Sequence, residues 1–250
     1  MNFEGLNGTT RLLASVELTP LQGTRFQPTG FPDIGAATYD TPDGKKMLLV
    51  ESAQSMANRM EAVCWNSLKN QPADALKGLS YVAVVDEKGA PLTNSILDSH
   101  RINSVYIRTN GNEIEELFAE EFGRNAELKK KPRPFRSQER QKLIELLFRY
   151  DVGSLLHGAW MTEYGGGRCR IARAFTAFVE AEDVKEAVSG GVKLDFVTQK
   201  DEESGAKEGF GNVPFPRSEY TGNVRAYFSL DLTQIRNYSL GKDAEQLLVA

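Results

Sequence analysis

A loop near the amino terminus combines residue types that bind single-stranded RNA. Residues 23–35 contain three glycines and two prolines, which rule out a regular helix or strand over that stretch. Arg25 supplies a fixed positive charge and Phe26 an aromatic face, while Gln22 and Gln27 can hydrogen-bond to phosphate, sugar or base. Arginine and aromatic side chains on such a loop suit a single strand, in which bases stack and phosphates need cations.

The same loop also has a structural interpretation, in which Phe26 and Phe31 pack into the core, and composition alone favours it. Asp33 is the only acid of this loop. Elsewhere the carboxylates form no convincing acid–base pair and no metal cluster. We therefore predict no catalytic site and no metal site.

A predicted strand runs into a predicted helix at residues 51–60, where free backbone N–H groups attract phosphate. Polar side chains surround this helix start, namely Ser52, Gln54, Ser55, Asn58 and Arg59. In the alternative interpretation, Ser52 and Ser55 only cap the helix. The spacing leaves phosphate binding and capping equally open.

His100, Arg101 and Asn103 lie within four residues of one another. His100 could act as a general acid in RNA cleavage. However, the chain has only two histidines, and the second, His157, lies within an apolar stretch. A hydrogen-bonding role for His100 is therefore the favoured interpretation.

A triple glycine at residues 165–167 precedes three arginines. Strand alternation predicts Arg168 and Arg170 on one face and Arg173 on the other. Two arginines beside glycines can clamp a phosphate, because the backbone can approach closely. The chain has no Walker sequence and no GxGxxG at a strand-to-helix turn, so we predict no nucleotide cofactor and no cofactor of another kind.

Residues 124–142 form a basic block, with eight basic residues against two acidic ones. Pro132 and Pro134 interrupt it with a loop. Such a block is usually a solvated face. The interleaved prolines and Phe135 also fit contact with nucleic acid or with a neighbouring protein.

The elements that must position these residues follow from hydrophobic periodicity. Alternating apolar residues predict strands, and helical spacing predicts helices. The predicted strands are 11–18, 46–51, 168–181 and 224–232, and the predicted helices are 52–70, 113–122 and 137–150. Because strands and helices interleave without strict alternation, we expect the α+β class.

Bulk composition excludes several classes of protein. With 250 residues, a net charge of −4 and a pI near 5.4, the chain does not coat nucleic acid indiscriminately, although a basic groove on an acidic body is allowed. No apolar run approaches the roughly 20 residues that span a bilayer. Two isolated cysteines, Cys64 and Cys169, fit a reducing compartment, so we expect a cytoplasmic protein with no membrane partner.

Four segments, residues 23–39, 47–65, 92–107 and 172–197, resemble a known family. Their sequences are GTRFQPTGFPDIGAATY, MLLVESAQSMANRMEAVCW, LTNSILDSHRINSVYI and ARAFTAFVEAEDVKEAVSGGVKLDFV. The family is the type I-G (formerly I-U) CRISPR RAMP protein, the Cas-seven-type backbone subunit of this Cascade subtype. The similarity spans roughly residues 11–232.

The resemblance implies a single RAMP-type domain over residues 1–250, with an RRM-like (ferredoxin-like) palm and large finger and thumb insertions. In this interpretation, residues 110–142 are a basic insertion and residues 200–216 a mobile loop. It also implies head-to-tail copies along a CRISPR RNA, other Cascade subunits as partners, and target DNA paired through the guide. The implied RNA contacts are Gln22, Arg25, Phe26, Gln27, Ser52, Gln54, Ser55, Asn58, Arg59, His100, Arg101, Asn103, Arg168 and Arg170.

Three rival functions stay open. Type III relatives cleave target RNA with an aspartate on an early loop, a position that Asp33 resembles. Other RAMP proteins process the guide, for which His100 would be the general acid or base. An assembly protein without RNA affinity is the third. We expect no enzyme, because type I backbone subunits leave degradation to a separate nuclease.

Overall fold

The structure, a computed structural model, describes residues 4–29, 35–108, 112–131, 137–193 and 213–250. Its contacts divide the chain into two compact units. Unit 1 comprises Met1–Ala14, Ala53–Ala177 and Phe228–Ala250, and unit 2 comprises Ser15–Ser52 and Phe178–Tyr227. The single domain expected over residues 1–250 stays a prediction.

Strands and helices interleave along the chain. The described strands are β1 (Arg11–Leu18), β2 (Thr38–Asp40), β3 (Lys46–Glu51), β4 (Trp65–Asn66), β5 (Gln71–Pro72), β6 (Ala83–Val85), β7 (Pro91–Asn94), β8 (Ala159–Trp160), β9 (Arg170–Ile171), β10 (Phe175–Lys193) and β11 (Val213–Asp231). The described α-helices are α1 (Ala53–Ala62), α2 (Val105–Arg108), α3 (Glu113–Phe122), α4 (Asn125–Lys130), α5 (Ser137–Tyr150), α6 (Gly153–His157), α7 (Leu232–Arg236) and α8 (Lys242–Val249). The expected α+β class is confirmed.

The main sheet has five strands in the order β1-β11-β10-β3-β2. Strand β3 pairs antiparallel with β10 on one side and with β2 on the other. Its apolar run places Leu48 fully buried in the core of unit 2, beside Ala181, Val184 and Tyr220. The strands predicted at residues 11–18 and 46–51 are confirmed at both ends.

The core of unit 1 is built on two amphipathic helices that the sequence predicts. Helix α3 begins where the Asn112 side chain accepts a hydrogen bond from the Glu115 N–H, and it buries Phe118 and Phe122. Helix α5 buries Leu143, Ile144 and Leu147 against the same cluster. Both helices have the predicted bounds. Much of the described part of residues 110–142 therefore packs into this core, and their role as an insertion stays a prediction.

Helix α1 is shorter than predicted, and its buried face is different. The helix expected over 52–70 ends at Ala62, because Trp65 is buried and pairs in a small antiparallel ladder. Val63 is 78 % exposed, and the buried positions of α1 are Ala57 and Glu61. The apolar residues keep a helical spacing beyond Ala62, although the helix ends there.

The strand predicted at 168–181 is broken in two. Arg170–Ile171 pairs with β8, whereas Phe175–Lys193 joins the main sheet. Between them, the Ala174 N–H donates to the Leu156 carbonyl. One apolar run thus serves two sheets, and the chain must leave the first to enter the second.

The loop predicted at 200–216 is too long at its carboxyl end. Residues 200–212 lie outside the described part of the chain, but residues 213–216 belong to β11. Two prolines in these four residues suggested a loop.

Two further expectations concern compartment and metal binding. Among the helices of the described residues, none has the length and hydropathy needed to cross a bilayer. Cys64 and Cys169 are both free thiols. No group of three or more potential metal ligands occurs within the described ranges.

Candidate nucleic-acid interface

A cleft of about 990 Å³ in unit 1 brings together residues from distant parts of the chain. Six predicted RNA-contact residues line it: Gln54, Asn58, His100, Arg101, Asn103 and Arg170. The other lining residues are Ser99, Arg140, His157, Gly158, Ala159, Trp160, Thr162, Ile171, Ala172 and Arg173. Another cavity of unit 1, of about 750 Å³ beside α7 and α8, has none of the predicted residues among its described lining.

The lining of this cleft is strongly basic, although the chain has a net charge of −4. Four arginines and two histidines line it, and no aspartate or glutamate does so among the described residues. A concave surface lined by one sign of charge concentrates the field and attracts the opposite charge. The cleft is therefore suited to a polyanion.

Two cations and one aromatic ring of the cleft are open to solvent. Arg140 and Arg170 are exposed, and neither forms an ion pair with another described residue. Trp160 is 57 % exposed and lies on β8, whose register places it opposite Arg170. An exposed indole opposite Arg170, in a cleft that Arg140 also lines, provides stacking and phosphate contacts together.

Helix α1 contributes its first two turns to the cleft. Gln54 and Asn58 are four residues apart, so they lie on one face of the helix, and both are exposed. Ser52 precedes the first helical residue, Ser55 is half-buried and Arg59 is exposed. Of the five residues predicted at this helix start, the cleft thus gathers Gln54 and Asn58.

Arg101 lines the cleft, but its guanidinium is held by Glu61. Its Nε lies 2.5 Å from Glu61 Oε1 and its Nη2 lies 2.7 Å from Oε2. A third hydrogen bond, from Nη1, reaches the Gly158 carbonyl at 3.4 Å. Burial raises the pKa of Glu61 to about 7, while the hydrogen bonds from Arg101 oppose this shift. Arg101 is therefore part of the cleft wall, where its guanidinium is already paired with Glu61.

The turn that carries His100 and Asn103 is fixed by two aspartates. The Ile102 N–H donates to Asp151 Oδ2 at 3.0 Å, and the His100 N–H donates to Asp98 Oδ1 at 2.9 Å. Burial raises the pKa of Asp151 to about 6, although its hydrogen bonds lower it. The His100 ring itself is exposed, with Nδ1 lying 3.6 Å from Asp98 Oδ1.

Three residues that line the cleft hold buried polar atoms without a hydrogen-bond partner among the described residues. These atoms are Oδ1 of Asn103, Nδ1 of His157 and Nε of Arg173. Burial lowers the pKa of His157 to about 4, and the charges of Arg101 and Arg173 lower it further. His157 is therefore neutral at pH 7.

Gly158 is needed where α6 passes into β8. Its φ is +83°, and a Cβ built there would lie 3.0 Å from the Ile171 carbonyl oxygen and 3.2 Å from Arg173 N. A side chain at this position would push β9 away from β8. The close approach of the two strands, which places Trp160 opposite Arg170, thus depends on glycine.

The triple glycine forms a tight turn beside the cleft. All three glycines have positive φ, and the Gly166 N–H donates to Asn125 Oδ1 at 2.7 Å. Arg168 follows the turn and is exposed, but it lies outside the cleft lining. Arg173, predicted on the opposite face from Arg170, lines the same cleft because the strand ends at Ile171.

The loop predicted to bind RNA near the amino terminus belongs to unit 2. Arg25 Nη1 lies 2.6 Å from Glu219 Oε2, and Gln27 Nε2 donates to the Ser218 carbonyl. Phe26 pairs with Tyr220 through backbone hydrogen bonds and packs against the unit 2 core, as the structural interpretation expects. Gln22 is exposed. Phe31 and Asp33 lie outside the described residues.

The basic residues of the block at 124–142 contact different partners. Arg124 Nη1 lies 2.5 Å from Glu115 Oε1, and this hydrogen bond raises the pKa of Arg124. Lys142 lies 3.5 Å from Glu121. Only Arg140 of this block lines the cleft, while residues 132–136 lie outside the described ranges. The block is thus not one continuous basic surface within the described residues.

The set predicted from the sequence did not include Arg140, Trp160 or Arg173. Trp160 lies in the stretch SLLHGAW, whose apolar character pointed to the core. Arg140 is one of many charges on a helix surface. Only folding shows that these residues converge.

Comparison with known families decides which kind of protein carries this cleft. The model of the family CRISPR-associated protein GSU0053 matches residues 12–186. The chain belongs to this family. The resemblance found in the sequence, to a CRISPR-associated family, is therefore confirmed.

Solved structures and curated proteins were compared as well. A chain of a structure described as "CRISPR RNA-guided surveillance complex, pre-nicking" is similar over 96 % of this chain and 69 % of that chain. The identity is 11 % and the TM-score 0.43. No curated protein matches the sequence.

Proposed function

We propose that this chain binds the sugar-phosphate backbone of a CRISPR RNA as a repeating subunit of a type I-G Cascade complex. One observation carries the proposal. The cleft of unit 1 is lined by four arginines and an exposed tryptophan, with no carboxylate among its described lining residues. Membership in a CRISPR-associated family supports the choice of RNA.

Five side chains of the cleft have a role in this proposal. Arg140 and Arg170 contact phosphates, because both are exposed cations of the cleft. Gln54 and Asn58 can exchange hydrogen bonds with ribose 2′-hydroxyls, which are both donors and acceptors. Trp160 stacks on a base, which requires no particular sequence.

A protein that holds the backbone leaves the guide sequence to base pairing. In the proposed complex, copies of the chain polymerise head to tail along the RNA, contact other Cascade subunits and present the guide to target DNA. The protein needs no cofactor and cleaves neither the guide nor the target. The basic clefts of successive copies would together cover the RNA. Because only the clefts contact the RNA, this arrangement is compatible with the net negative charge of the whole chain.

The test is coexpression with a CRISPR RNA, followed by size-exclusion chromatography with absorbance at 260 and 280 nm. The unchanged chain should elute as a large, RNase-protected particle rich in nucleic acid. The double variant Arg140→Ala/Arg170→Ala should elute with much less RNA. Lys69→Ala/Lys88→Ala removes two exposed positive charges of unit 1 outside the cleft lining and should behave as the unchanged chain.

An RNA-free unchanged chain, or equal RNA loss in both double variants, would contradict the proposal. Incubation with target RNA and with repeat RNA separates the cleaving rivals. We expect no product from either substrate. A cut lost in Asp33→Ala would establish target cleavage, and one lost in His100→Ala would establish guide processing.

A further inference from the structure

A second groove of unit 1 adjoins the basic cleft. It has a volume of about 490 Å³ and shares Ser99, His100 and Asn103 with the cleft. The turn that carries these three residues therefore borders both depressions. The two depressions are therefore neighbours, with His100 at their common border.

The chemistry of the groove differs from that of the cleft. Leu97, Val105 and Tyr106 line it and are 46 %, 53 % and 63 % exposed, respectively. Asp98 also lines the groove, which disfavours a phosphate. Among the described residues that line the groove, Arg108 is the one arginine. It donates from Nε to the Asn103 carbonyl at 2.8 Å, and its Nη1 lies 3.7 Å from Glu163.

The wall that carries Tyr106 is held by its own hydrogen bonds. The Ser104 hydroxyl donates to Asp98 Oδ2 at 2.8 Å and accepts from the Tyr106 N–H at 3.2 Å. Ile107, the next residue of α2, is buried and anchors the helix. The Tyr106 ring is thus presented to solvent from a fixed backbone, which limits the entropy lost when a ligand stacks on it.

We infer that this groove receives one nucleobase, stacked on Tyr106, of the RNA strand whose backbone lies in the cleft. The inference rests on the proposed function and names a subsite of it. A base is flat, uncharged and apolar on its faces, which matches Leu97, Val105 and Tyr106. Its polar edge can bond to the Asp98 carboxylate or the Ser99 hydroxyl. Its position beside a cleft lined by four arginines favours RNA over a protein segment.

The experiment measures the affinity of the full chain for two labelled strands of equal length. One is single-stranded RNA, and the other has the same sugar-phosphate backbone without bases. Tyr106→Ala should weaken RNA binding about tenfold, since stacking accounts for most of the contribution of one base. It should not change binding of the abasic strand. Tyr106→Phe keeps the ring and should bind both strands as the unchanged chain does.

The outcomes separate this inference from the proposed function. Failure of the unchanged chain to bind RNA overturns both. Normal RNA binding by Tyr106→Ala overturns only the base subsite, as does equal weakening for the RNA and abasic strands. Loss of association between copies, with RNA affinity retained, would identify the groove as a protein contact instead. Because Tyr106 is exposed, Tyr106→Ala should also melt at the temperature of the unchanged chain.

Discussion

Arg101 and Glu61 form a bidentate ion pair within unit 1, and their side chains are 8 % and 7 % exposed, respectively. Glu61 lies in α1, which carries Gln54 and Asn58, whereas Arg101 lies in the turn that carries His100 and Asn103. The pair therefore joins two walls of the basic cleft. A buried pair of this kind adds little net stability, but its geometry fixes the distance between the elements that it joins.

Removal of Glu61 should be much more damaging than removal of an exposed carboxylate. Glu61→Ala leaves the Arg101 charge buried without its partner, so we expect a loss of about 3–5 kcal/mol in the free energy of unfolding. Urea denaturation measures this loss. Glu17→Ala, which breaks an ion pair with Arg225 in which the Glu17 side chain is 79 % exposed, should cost no more than about 1 kcal/mol. Equal effects of the two variants would show that the buried pair has no special structural role.

His157 should make the chain sensitive to mild acid. Its pKa in the folded chain is about 4, against an ordinary value of 6.5, because burial and two arginines disfavour the charged ring. The unfolded chain therefore binds the proton more tightly, and stability falls as the pH drops from about 6.5 to about 4. Below that window the full loss is on the order of 3 kcal/mol. Above pH 6.5, His157 makes no pH-dependent contribution.

The measurement compares unfolding of the unchanged chain and His157→Asn at several pH values. The asparagine variant has no proton to bind at this position. The difference in stability between the two proteins should therefore change only between about pH 4 and 6.5. A difference that is constant across this range would mean that His157 is solvated in the folded chain.

The sequence predicted those elements whose periodicity agrees with their packing. Helices α3 and α5 have the predicted bounds because their apolar residues face one side. Strand β3 has them because its apolar run lies between Lys46 and Glu51. The prediction failed where one run of residues extends over more than one structural element. Residues 168–181 supply strands to two sheets, and the apolar residues after Ala62 lie outside α1.

The candidate site was predictable in part for a similar reason. Gln54, His100 and Arg170 carry polar groups in loops or at element ends, so local sequence marks them. Arg140 and Trp160 are marked only by their position in the folded unit. Conversely, local sequence could not reveal that Glu61 occupies the guanidinium of Arg101, because the two residues are 40 positions apart.

Phosphate contacts in the cleft should be visible in the salt dependence of RNA affinity. Each phosphate contact on a single strand contributes about 0.7 to the slope of log affinity against log salt. Arg140→Ala/Arg170→Ala should therefore lower the slope by about 1.4. Filter binding or fluorescence anisotropy at several salt concentrations measures it. Lys69→Ala/Lys88→Ala is the control of equal charge and should keep the slope of the unchanged chain.

Stacking on Trp160 can be followed without a label, because the chain has only two tryptophans. Trp65 is 8 % exposed and packs edge-to-face on Tyr81, with ring centroids 5.5 Å apart, whereas Trp160 is 57 % exposed. Iodide should quench Trp160 selectively, and bound RNA should both quench its emission and protect it from iodide. Trp160→Phe should abolish the RNA-dependent change, and Trp65→Phe should keep it. If RNA binds and the emission of Trp160 does not change, the indole lies outside the RNA path, and the contacts are confined to the arginines and polar residues of the cleft.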